Sequence, residues 1–184
     1  MTGHILVLNC GSSSVKFSIL DLRCEAALIS GAVEGIGGQR GILRYRNDSA
    51  AGEKVRAVEV AYHREALEQV LEVIDGSWPV TAIGHRVVHG GSQFHAPVRI
   101  DRGVLEVIRG LDRLAPLHNP MNRLGIEMAM TVWPDLPQVA VFDTAFHQTL
   151  PPHAYRYAVP RAWFADHGVR RYGFHGTSHQ YVVS

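Results

Sequence analysis

His4-Ile5-Leu6-Val7-Leu8-Asn9-Cys10-Gly11-Ser12-Ser13-Ser14-Val15-Lys16-Phe17-Ser18-Ile19-Leu20-Asp21-Leu22 contains two apolar runs separated by a short link of turn formers. His4–Asn9 reads as a buried strand and Val15–Leu22 as a second, and so short a link makes the pair a hairpin. Further strands are expected at 25–34 and 41–47, turning at Gly35-Ile36-Gly37-Gly38, and at 55–60. Helical spacing comes next: Leu67, Val70, Leu71 and Ile74 share one face of a helix covering about 62–75. Val80–Ile83 is a strand that runs into Gly84-His85-Arg86-Val87-Val88-His89-Gly90-Gly91. Asp101 can cap a helix that aligns Val104, Val107, Ile108 and Leu111. Asn119-Pro120 supplies another N-cap and first-turn proline, for a helix reaching about Val132. Gln138–Phe142 is a short apolar strand that ends at Asp143, and Thr177-Ser178-His179-Gln180 has capping-box spacing for a last helix. Strands first, then helices alternating with strands, argue for a mixed α/β sheet.

Composition narrows the classes. The chain has 184 residues, 46% of them hydrophobic and 19% charged, with a formal net charge of +1. That suits one domain and the start of another, with a sizeable core and no tendency to disorder. Near-neutral charge provides no broad electrostatic footprint for nucleic acid or an anionic membrane. The two cysteines, Cys10 and Cys24, build no disulfide framework, which points to a reducing compartment. The longest early apolar run, Ile5-Leu6-Val7-Leu8, is too short for a signal peptide or membrane span, so a soluble cytoplasmic protein is expected. Lys16 and Lys54 are the only lysines, a bias that draws attention to places where arginine would not serve.

Several clusters could carry chemistry. Asn9-Cys10-Gly11-Ser12-Ser13-Ser14-Val15-Lys16 can present backbone N–H groups, hydroxyls and one cation to phosphate oxygens, though a plain β-turn explains it as well. Its spacing is not that of a Walker A loop. Arg86, just beyond a buried strand, suits bidentate capture of a carboxylate or phosphate, with a structural ion pair as the alternative. His118 sits at a helix N-terminus, where anions are favoured, and Asp143 ends a buried strand, where ligand-facing groups collect in open α/β sheets. A cap or a core histidine explains either residue without function. His85/His89 and His175/His179 are each four apart, but their strand-to-loop and pre-helix settings argue against zinc. His175 better suits an anion at a helix start.

Five stretches taken together resemble the acetokinase family, the acyl-phosphate kinases of the actin and sugar-kinase superfamily. They are Leu6–Phe17, Gly84–Gly91, Leu114–Pro120, Val141–His147 and Arg170–His179, in the family's order and running through essentially the whole chain. The resemblance implies a ribonuclease H-like/actin-like ATPase fold and reversible phosphoryl transfer from ATP to acetate, giving acetyl phosphate and ADP, with magnesium. It places Asn9, Ser12, Ser14 and Lys16 at the phosphate and magnesium end, with Asn9 on the metal. Arg86 would hold the substrate carboxylate, Asp143 would be the catalytic carboxylate beside it, and His118 and His175 would contact the transferring phosphoryl group. Val88, Leu117 and Phe174 would line the pocket for the acid's alkyl end.

A carboxylate nucleophile is ionised at neutral pH, so Asp143 is expected to organise magnesium or polar contacts, not to abstract a proton. Met121 departs from the family, which more often has a small residue there. The family's members are about twice as long, with adenosine-binding glycine-rich segments, a second active-site arginine and a magnesium-side glutamate beyond residue 184. By its pattern the first domain covers 1–150 and residues 151–184 open a second, nucleotide-side domain, so the sequence reads as cut. The full-length protein would be a homodimer. Preference for propionate or butyrate, and a folded but non-catalytic remnant, stay open as alternatives.

Overall fold

A computed structural model describes residues 3–48, 52–74 and 76–184. Strands β1 (His4–Cys10) and β2 (Ser14–Asp21) form the expected antiparallel hairpin, pairing Leu8 with Phe17, Asn9 with Lys16 and Cys10 with Val15. The meander continues through β3 (Ala26–Glu34), β4 (Gly41–Asn47) and β5 (Lys54–Val58), each antiparallel to the last. Helix α1 (His63–Ile74) then returns the chain so that β6 (Val80–Val87) lies parallel to β1. The expected last position of α1, residue 75, lies outside the described residues. After β7 (Val98–Arg99), α2 (Arg102–Gly110) and α3 (Asn119–Val132), strand β8 (Gln138–Phe142) pairs parallel to β6. The eight strands stand in the order β5-β4-β3-β2-β1-β6-β8-β7.

Alternation decides which face is covered. Leu6, Leu8 and Cys10 of β1 are buried, as are Val15, Phe17 and Ile19 of β2, Ile83 and Val87 of β6, and Ala140 and Phe142 of β8. The registers put Leu8, His85 and Ala140 side by side, so these residues share one face. Against it pack Ala66, Leu67, Val70 and Ile74 of α1, Ile108 of α2, and Ile126 and Ala129 of α3. Each fully buried aliphatic contributes roughly 1.5–3 kcal/mol. The residues between them, Asn9 and Arg86, belong to the opposite face at the C-terminal ends of the parallel strands.

The structure departs from the sequence reading at several places. Arg86 lies inside β6, which runs four residues past Ile83, because Arg86 pairs in register with Val141 on β8. Asn119 does not cap α3; that position belongs to His118, which makes no side-chain capping bond, and the Asn119 carboxamide goes to the backbone of His89. The capping box is not formed, since α6 (Gly176–Val183) already begins one residue before Thr177. β7 and the short helices at Phe146–Thr149, α4 (Pro152–Tyr155) and α5 (Arg161–His167) are additions. Asp101 does cap α2, accepting from the Val104 N–H at 2.8 Å.

Gly125 sets how closely α3 approaches the sheet: a Cβ there would run into the Sγ and Cβ of Cys10. Gly125→Ala is expected to destabilise the protein by roughly 1–3 kcal/mol through overpacking, despite a gain in helix propensity of about 1 kcal/mol. The penalty should shrink in a Cys10→Ala background. Urea denaturation of the four-member cycle measures it, and equal penalties in both backgrounds would refute the contact.

Candidate active site

The C-terminal ends of β1, β6 and β8 open into a cleft of about 640 Å³, the position at which α/β sheets collect ligands. Asn9, Arg86, Val88, Leu117, His118, Asp143, Phe174 and His175 all line it, together with Cys10, Gly11, Asn122 and residues 114–116. Eight of the eleven candidate residues therefore converge from five separate stretches. Ser12, Ser14 and Lys16 do not line the cleft; they stand on the adjoining hairpin turn, with Lys16 exposed and directly across from Asn9.

At the centre is an ion pair. Arg86 Nε donates to both carboxylate oxygens of Asp143, at 3.0 and 3.1 Å, and Nη2 donates to Oδ2 at 2.5 Å. Asp143 is only 1% exposed at its side chain and Arg86 is 35% exposed. The carboxylate beside it raises the Arg86 pKa further, against the opposing effect of burial. Nη1 has no acceptor among the described residues, so one edge of a fixed, permanently charged guanidinium is presented to the cleft. The backbone of Asp143 is tied as firmly: its N–H donates to the Val87 carbonyl at 3.0 Å, and its own carbonyl accepts from the Gly176 N–H at 2.8 Å. A Cβ on residue 176 would strike that carbonyl, so glycine is required for this approach. His175, just before it, holds the left-handed conformation, with φ 55° and ψ 29°, at the N-cap of α6. Such backbone strain in a bulky residue persists where the surroundings fix it.

Two asparagines that the sequence reading did not assign to the site splice the strand ends together. Asn122 accepts from the Val88 N–H at 2.9 Å and donates to the Cys10 carbonyl at 2.6 Å. Asn119 accepts from the His89 N–H and donates to the His89 carbonyl, both at 3.0 Å. Both lie on the buried stripe of α3 with Ile126 and Ala129; a polar residue on an apolar helical face was the available signal. His89 holds the opposite wall. Its Nδ1 accepts from the Gly91 N–H at 2.9 Å, and its ring meets those of Tyr172 and Phe174 edge-on at 4.5 and 5.6 Å. Burial lowers its pKa, which favours the neutral ring this bond needs. His147 Nε2–H supports the Phe174 carbonyl at 3.0 Å. Within the cleft Leu117 is 72% and Phe174 42% exposed, so this part of the wall is open.

Other chemistries find less support. Burial pushes the Cys10 thiol up to about 12, so it is no nucleophile. His85 lies on the core face, donating to Gln138 Oε1 at 2.8 Å, with burial lowering its pKa to about 4. Among the described residues no group of three His, Cys, Asp or Glu could hold a metal, and no helix is long and apolar enough to cross a membrane.

The ion pair is asymmetric in its surroundings, and so should be its removal. Arg86→Ala leaves a nearly inaccessible carboxylate unpaired and is expected to cost about 3–5 kcal/mol. Asp143→Ala leaves a guanidinium that can reach water and should cost less. Chemical denaturation compares them, and a larger loss for Asp143→Ala would contradict the arrangement.

Known proteins resemble the chain in sequence and in fold. Residues 4–184 match the model of the Acetokinase family. The chain is 51% identical over 181 residues to an acetate kinase of Pseudomonas aeruginosa and 52% over 184 residues to one of Deinococcus deserti, each match covering 97% of this chain. It spans 45% of the length of these curated relatives. Among solved structures, Porphyromonas gingivalis acetate kinase superposes with a TM-score of 0.90 at 41% identity, and a Francisella tularensis propionate kinase with 0.88 at 43%. These cover 98% of this chain and 47% of theirs, and their actin-like ATPase fold is the one expected here. The match over residues 4–184, with these identities and superpositions, shows that the chain belongs to the acetokinase family.

Proposed function

We propose that this chain carries the carboxylate and phosphoryl side of an acetate kinase site, in a protein that reversibly transfers a phosphoryl group from ATP to acetate, giving acetyl phosphate and ADP. The observation that carries the reading is the single cleft in which an oriented arginine, two histidines and an apolar wall converge. In this reading the free edge of Arg86 takes the acetate carboxylate, and Val88, Leu117 and Phe174 border its methyl group. His118 and His175 donate hydrogen bonds to the transferring phosphoryl group, where charge stabilisation and in-line positioning supply most of the catalysis. Acetate attacks through an oxygen that is already ionised, so Asp143 acts by orienting Arg86 and neutralising part of its charge. No proton needs removing.

The donor set suits magnesium arriving with a nucleotide. Asn9 has no side-chain partner among the described residues and, with the hydroxyls of Ser12 and Ser14 on the adjoining turn, offers oxygen ligands. Magnesium takes much of its coordination from substrate phosphates and retained waters. When bound, it would neutralise phosphate charge, while Lys16 adds a point charge beside the turn. We place the whole protein in the cytoplasm as a homodimer, with residues 1–150 as its first domain and 151–184 opening the nucleotide-side domain. The likeness to a propionate kinase supports a second reading of the acid, because one methylene is worth only about 1–3 kcal/mol to a hydrophobic pocket.

Titrating the chain with acetate tests the reading. Saturable shifts are expected at Arg86 and Val88, and Arg86→Ala should weaken binding roughly 10- to 100-fold, the range of charge-assisted hydrogen bonds. With ATP, magnesium and acetate, these 184 residues alone should give no acetyl hydroxamate above background. Unchanged affinity in Arg86→Ala, or robust turnover by the chain, would contradict the proposal.

A further inference from the structure

His63 is the first residue of α1, buried, and far in sequence from the β1–β2 turn that it contacts. Its Nε2 lies 2.6 Å from the carbonyl oxygen of Gly11, fifty-two residues earlier in the chain. A carbonyl only accepts, so the imidazole carries its hydrogen on Nε2 and donates. The bond is one of a set. The Cys10 carbonyl accepts from Asn122 of α3, the Ser13 carbonyl from the Ile36 N–H in the β3–β4 turn at 3.1 Å, and the Ser14 carbonyl from the Gly11 N–H at 2.8 Å. Three carbonyls around the turn are thus claimed by the body of the protein, and a fourth, that of Ser14, by the turn's own Gly11 N–H. By contrast, no acceptor among the described residues takes the N–H of Ser12 or Ser13, both of which are exposed. Most of the turn's acceptors are thus occupied while two donors stay available to solvent, the polarity an anion cradle requires.

His63 is itself held in place. Glu65, in the first turn of α1, accepts from the Ala61 and Tyr62 N–H groups, at 2.5 and 3.0 Å, which fixes the chain entering the helix. On the other side, the Ile36 contact with Ser13 and the Gly37 N–H on the Val60 carbonyl at 3.0 Å link turn, meander and helix entry. We propose that His63 is a positioning residue for phosphate binding: its Nε2–H locks the Gly11 carbonyl inward, so that the Ser12 and Ser13 N–H groups face the phosphate chain of a nucleotide. It touches no substrate and acts only through the turn. The inference rests on the reading of this hairpin as the phosphate side of the site.

The test follows the Ser12 and Ser13 amide resonances of the chain during titration with magnesium and inorganic tripolyphosphate, with acetate titrated separately as the control. The wild-type chain should show saturable shifts at both amides. His63→Phe keeps the ring volume without the donor and should weaken tripolyphosphate binding at least tenfold, while acetate-induced shifts at Arg86 change less than twofold. His63→Gln, which keeps an N–H at a similar reach, should restore binding to within about threefold of wild type. Loss in His63→Gln, or full affinity in a folded His63→Phe, would overturn the inference and leave the phosphate reading standing. Absence of any shift in the wild-type chain would instead overturn the phosphate reading, and the inference with it.

Discussion

The buried Asp143 carboxylate is the constraint on which the site depends. A carboxylate withdrawn almost wholly from water must be paired, and Arg86 supplies three donor contacts to it. Satisfying the anion aligns the cation: with Nε and Nη2 committed, the guanidinium plane is fixed and Nη1 faces the cleft. An arginine on an open strand end would otherwise sample many rotamers, and a ligand would bear the cost of ordering it. The two readings of Arg86 that the sequence left open, structural ion pair and anion reader, are therefore compatible. The first would serve the second.

Around that pair the fold supplies rigid neighbours. The Asp143 main chain bonds to β6 on one side and to the start of α6 on the other. Asn122 and Asn119 join α3 to the ends of β1 and β6, and the close packing at Gly125 lets α3 come near enough for those short side chains to reach. His89 and His147 hold the segment that brings Phe174 to the opposite wall. Most of these groups are buried polar side chains bonded to backbone, which fix loop conformation more sharply than apolar packing does.

Local periodicity carried much of this in the sequence. The β1–β2 hairpin was legible because its apolar runs flank four turn formers, and α1 and α2 because their apolar stripes repeat at helical spacing. The candidate ligands were legible through motif resemblance, and eight of them meet in one cleft. What local pattern could not show was where polar side chains spend their hydrogen bonds. Asn119-Pro120 has the composition of a cap, yet the carboxamide serves His89 in another element. Thr177 and Gln180 have capping-box spacing, yet the helix starts earlier because the Gly176 N–H is drawn to the Asp143 carbonyl. Arg86 reads as lying just beyond a strand that ends at Ile83, with Gly84 and His85 after it; its pairing with β8 keeps it inside. β7 has only two residues, too few for any periodicity.

The central claim is that the cleft's arginine is oriented before any ligand arrives. Side-chain 15N relaxation at Arg86 Nε in the ligand-free chain tests it most directly. The account predicts an order parameter near the value of about 0.85 that characterises rigid backbone, unchanged on adding acetate. A value below about 0.6 that rises only when acetate binds would contradict it.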